Sequence, residues 1–196
     1  MFNILIDKLP EHVKINNIKY KVNSDFKVFI LIEQLLKDNS FDKKKRIMIA
    51  LDLFYIDRPL ELELAIKEML NFYTMDFLYV SKGKKGGVSN TKKIYDWDHD
   101  QGYVYSAFLN QYGIDLQEID YMHWWKFRFL FMSLNEDNKI VKMMSYRGVN
   151  LSDIKDKNER KKYEKLKREY EIPIPAEERK QLDEIEEALM NRRVIP

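Results

Sequence analysis

A mainly α-helical domain, opened by a small β-hairpin and closed by a charged helical extension, is the fold that the sequence predicts. Three observations predict it. Apolar residues recur at helical spacing along most of the chain, as in Phe26, Phe29, Ile30, Ile32, Leu35 and Leu36. Alternation of apolar and polar residues, the mark of a half-buried strand, is clear only around Asn16-Asn17. From Asn150 onward the apolar residues thin out and charge takes over.

The hairpin comes first. Val13-Lys14-Ile15 and Ile18-Lys19-Tyr20-Lys21-Val22 flank an Asn-Asn pair, and asparagine tolerates the positive φ that both centres of a tight turn require. Asn23-Ser24-Asp25 then offers side-chain oxygens to the free amides of a helix running to about Lys37. A second helix covers about Asp42 to Tyr55. A third starts with Pro59 as its first residue, covers Leu60 to about Asn71, and continues through Phe77 and Leu78 if the apolar run is helical. Residues 81–93, SKGKKGGVSNTKK, have no hydrophobic period and read as a mobile exposed loop. Its glycines and lysines lack the GxxxxGK[ST] spacing that cradles phosphate.

The next helix is expected over Asp96 to Gly113, with Asp96, Asp98 and Asp100 complementing its N-terminal dipole and Gly113 ending it. The same aspartates with His99 are the one candidate metal cluster, but neighbouring helical residues point apart and no HExxH or calcium-loop spacing is present. The stretch GIDLQEIDYMHWWKFR follows, capped by Asp115 or Asp120. Tyr121, Trp124, Trp125, Arg128, Phe129 and Met132 lie on adjoining turns, where Arg128 is placed to stack on an indole. His123 has no serine or cysteine nucleophile motif near it and reads as a packing residue. Asn135 is the cap expected for a short helix ending at Gly148.

These readings divide the chain into a helical core with its hairpin at 1–148, a basic helix at 149–172 and an acidic helix at 173–196 that starts at Pro175. The last two are able to pair as a helical hairpin. The absence of cysteine excludes disulfides and thiol catalysis, and a net charge of +2 argues against bulk nucleic-acid binding. The N-terminus lacks the features of a signal peptide, and no apolar run reaches 18 residues, so neither export nor a membrane is expected.

Five pieces of the sequence resemble one family of tailed-bacteriophage proteins, conventionally the "gene product fifteen" family. They are the acidic start from Tyr95 to Asp100, FLNQYGIDL from Phe108 to Leu116, HWWKF from His123 to Phe127, Tyr146-Arg147, and DIKDKNER from Asp153 to Arg160. The likeness runs over about 3–171 and leaves the acidic end outside it. What the resemblance implies is a non-enzymatic tail assembly chaperone in the host cytoplasm. Its partner would be the tape measure protein, together with other tail proteins or further copies of itself, and it would need no cofactor or metal. The alternatives are a structural tail component of the virion and a nucleic-acid-binding module. The candidate contacts for a partner helix are Phe72, Met75, Phe77, Tyr79, Tyr121, Trp124, Trp125, Arg128 and Met132. A basic contact surface would use Lys82, Lys84, Lys85, Lys92 and Lys93.

Overall fold

A computed structural model describes residues 2–75 and 93–173. Among them the fold is mainly α, with an antiparallel hairpin followed by seven α-helices. Strands β1 (His12–Ile15) and β2 (Ile18–Lys21) pair with Lys14 opposite Lys19 and Ile15 opposite Ile18. Asn16 and Asn17 both take positive φ, 48° and 66°, as the two-residue turn requires. Val13 and Ile15 face inward.

The helices are α1 (Phe26–Lys37), α2 (Lys43–Phe54), α3 (Leu62–Thr74), α4 (Gln101–Tyr112), α5 (Trp124–Met132), α6 (Lys139–Gly148) and α7 (Lys157–Glu169). Asp25, Asp42 and Asp156 cap α1, α2 and α7 through their carboxylates. Gly113, at φ 63°, follows the last turn of α4 in the left-handed conformation.

Several boundaries differ from the sequence expectation. Pro59 is buried ahead of α3 and does not start it; the helix opens three positions later without a side-chain cap. The same helix ends at Thr74, with Met75 at φ 57°; Phe77 and Leu78 lie outside the described residues. Helix α4 begins at Gln101 and not at Asp96, because residues 97–99 form a turn closed by the Asp96 carboxylate on the amides of Asp98 and His99. Asp115 receives the amide of Gln117 in a turn of its own, so α5 is capped by His123 instead of Asp115 or Asp120. Asn135 likewise does not cap α6, which starts at Lys139; its amide is held by Gln111. The segment 76–92 and the acidic end from 174 lie outside the described residues.

By its contacts the chain divides into two compact units, Met1–Thr91 with Gly102–Ile140, and Lys92–Gln101 with Val141–Pro196. The first has an aromatic core. Phe29 is fully buried between Trp124 at 4.9 Å and Phe72 at 5.7 Å between ring centroids, and Phe127 stacks on Phe26 and Phe108. Such ring pairs add about 0.5–1.5 kcal/mol each beyond their buried area. Residues 24–26 pair with 122–124, where the Phe26 amide donates to Met122 and the Trp124 amide to Ser24.

The second unit is organised around a buried ion pair. Arg147 and Asp100 are withdrawn from water, and the same guanidinium also donates to the carbonyls of Ile94 and Tyr170. Tyr146 lies against Tyr163 and Tyr170, which fixes the inward side of α7.

Candidate partner-binding site

The tryptophan pair is the place where sequence and geometry meet. Adjacent helical residues diverge by about 100°, yet both indoles reach the same helix end. Trp124 Nε1 donates to the carbonyl of Tyr73 at 3.0 Å, and Trp125 Nε1 to that of Phe72 at 2.8 Å. These are among the last carbonyls of α3, which have no partner within a helix. Two buried aromatic side chains therefore finish α3 where the positive φ of Met75 ends it.

His123 positions the pair. Its Nδ1 accepts the amide of Trp125 at 3.0 Å, and its Nε2 lies 3.0 Å from the carbonyl of Pro10, so the ring is neutral with its proton on Nε2. Burial holds its pKa below the usual histidine value, against the opposing pull of the Pro10 carbonyl and of Glu11. Arg128 lies over the face of Trp124, 5.4 Å from the ring centroid, and more distantly over Tyr73.

The sequence-derived contact residues separate into three groups. Phe72, Met75, Trp124 and Trp125 fill the core and, as folded, are not a surface that a partner can touch, because the aromatic layer and the end of α3 close over them. Tyr121 and Met132 are about half exposed, at 53% and 49%, and Arg128 is half-buried. Tyr121 is held by its hydroxyl, 2.8 Å from Ser24 Oγ. Phe77, Tyr79, Lys82, Lys84, Lys85 and Lys92 lie outside the described residues. Lys93 is exposed and paired with Asp96 at 2.7 Å.

What the sequence reasoning missed is the outer face of α3. Ala65, Met69 and Phe72 face the core, while Leu62 and Leu70 are exposed, with Ile66 between them half-buried. Leu62, Ile66 and Leu70 recur every four residues and so share one stripe. The signal was present: the apolar arc of α3 runs past the core-facing Ala65, Met69 and Phe72 to take in Leu62, Ile66 and Leu70, wider than the side the core covers. Leu60, just ahead of the helix, is also exposed.

Among the described residues no three histidine, aspartate or glutamate side chains come together as a metal would need, and no helix is long and apolar enough to cross a membrane. Asp96 and Asp100 spend their oxygens on amides, Lys93 and Arg147.

No curated protein and no solved structure matches the chain. A family model described as Bacteriophage Gp15 protein matches residues 5–172. That match takes in the hairpin, the tryptophan pair with its histidine cap, and the Asp100–Arg147 ion pair. The chain belongs to the Bacteriophage Gp15 protein family.

Proposed function

We propose that this phage protein is a non-enzymatic assembly factor that covers amphipathic helices of the tape measure protein while the tail is built. Family membership supports a part in forming or building the particle. The observation that carries the finer reading is the stripe on α3 made by exposed Leu62 and Leu70 with half-buried Ile66 between them. An apolar ridge of two helical turns suits a partner helix laid alongside it, with anchors at matching spacing. Behind the stripe, α3 is held rigidly, its inner face on the aromatic core and its end on two indoles. A helix fixed in this way has little backbone freedom left to lose on binding. Tyr121 and Met132 are further exposed apolar contacts for the same kind of partner.

Co-expression with the tape measure protein of the same phage tests this. The soluble yield of the tape measure protein should rise, and the two should co-purify. Leu70→Glu in full-length, folded protein should abolish both effects. An unchanged yield with the native chain rejects the reading. Mass spectrometry of purified particles separates a chaperone, which leaves, from a virion component, which stays.

A further inference from the structure

Helix α7 carries seven basic side chains against three acidic ones. Its inward side is accounted for: Tyr163 packs on Tyr146, and Lys167 donates to the carbonyl of Val149. Arg168 is paired with Glu164 at 2.6 Å. Lys157, Arg160, Lys161, Lys162 and Lys165 are exposed, and none of their side chains has a hydrogen-bond or ion-pair partner among the described residues. Like charges four apart, as in Lys157, Lys161 and Lys165, disfavour a helix. This concentration stands out in a protein whose total charge is only +2.

The opposite charge lies next in the sequence. Residues 177–187 hold Glu177, Glu178, Asp183, Glu184, Glu186 and Glu187 against Arg179 and Lys180. From Tyr170 to Glu177 the chain can extend by up to ~25 Å, whereas the thirteen residues of α7 span ~20 Å. The acidic stretch therefore reaches any point of α7 in its own molecule. Tethering at that distance gives it a local concentration on the order of millimolar.

We propose that residues 177–187 dock on the cationic face of α7 within the same molecule. The occupant is chosen by charge and by reach. Nucleic acid is disfavoured, because five unpaired cations without an exposed aromatic residue among them give few phosphate contacts and no base platform.

Zero-length carbodiimide cross-linking of the full chain tests the contact directly, using an equal mixture of natural-abundance and nitrogen-15-labelled protein. At low ionic strength, links should join Lys157, Lys161, Lys162 or Lys165 to carboxylates of 177–187, with both peptides carrying the same label. They should disappear in high salt and in Lys161→Glu with Lys165→Glu. They should return, with donor and acceptor exchanged, when Glu184→Lys and Glu187→Lys are added. Links between differently labelled peptides would assign the occupant to a second copy and overturn the proposal. Links spread equally over hairpin residues Lys14 and Lys19 would show an unselective tail and overturn it, as would no links at all. A short DNA duplex that the native chain binds through α7 at the same low salt would overturn it in favour of nucleic acid.

Discussion

Arg147 grips Asp100 through two parallel hydrogen bonds, Nη1 to Oδ2 at 2.6 Å and Nη2 to Oδ1 at 2.9 Å, with neither side chain open to water. Further bonds run from the Asp96 amide to Oδ2 and from Nη1 and Nε to the carbonyls of Ile94 and Tyr170. A fork-on-carboxylate pair of this kind is directional as well as strong. Arg147→Ala leaves a buried carboxylate without its counter-charge and should cost about 3–5 kcal/mol. Arg147→Lys restores the charge but not the fork and should recover only part of that loss. Chemical denaturation midpoints give both values, and an unchanged midpoint for the alanine variant would remove the pair from its central position.

His123 makes stability depend on pH in a stated direction. Its folded pKa is lowered, so the unfolded chain takes up the proton first as the solution is acidified. The contribution is therefore full above the ordinary histidine value and is lost as pH falls toward the folded one. His123→Asn keeps a capping oxygen but does not titrate. The stability advantage of the native chain over this variant should shrink between about pH 7 and pH 5. An advantage that stays constant over that range would contradict the assignment.

The indoles give a third test. Trp124→Phe and Trp125→Phe keep most of the ring but remove the donor, leaving the carbonyl of Tyr73 or Phe72 unpaired at a buried helix end. Each should cost about 1–3 kcal/mol in thermal or denaturant unfolding. All three tryptophans of the chain are buried, so native emission should be blue-shifted and resist quenching by iodide.

In the hairpin, Asn17 sits at φ 66°, a region that glycine occupies freely and a β-branched residue does not. Asn17→Gly should be neutral or stabilising by up to ~1 kcal/mol, and Asn17→Val should destabilise. Reversible thermal unfolding of the two variants decides the order.

Local rules were enough for much of this fold. The Asn-Asn turn, the cap at Asp25 and the glycine at 113 each act within a few residues, and each is legible in order of sequence. Asp100 is the instructive failure. Its neighbours Asp96 and Asp98 invited a capping role for all three, whereas its partner is 47 positions away and no local pattern announces it. Yet Tyr95 to Asp100 and Tyr146-Arg147 were both among the segments that carried the family resemblance, so the pair was visible as two separate motifs. His123 caps α5 although the aspartates at 115 and 120 are better cap formers by type; the pairing of 24–26 with 122–124 decides where α5 starts. In the candidate site the Trp pair is buried, and Leu62 and Leu70 are what α3 leaves exposed.

The bond from His123 to Pro10 spans 113 residues, and the pairing of Phe26 with Met122 spans nearly as many. A ribosome making this chain releases the hairpin and α1 long before their partners exist. Closing so wide a loop is slow compared with forming a helix. Several seconds of synthesis, at ordinary elongation rates of roughly 5–20 residues per second, separate the first half of the core from the second. During that interval Phe26 lacks Phe127 and Phe29 lacks Trp124, so the aromatic core stays incomplete until α5 appears.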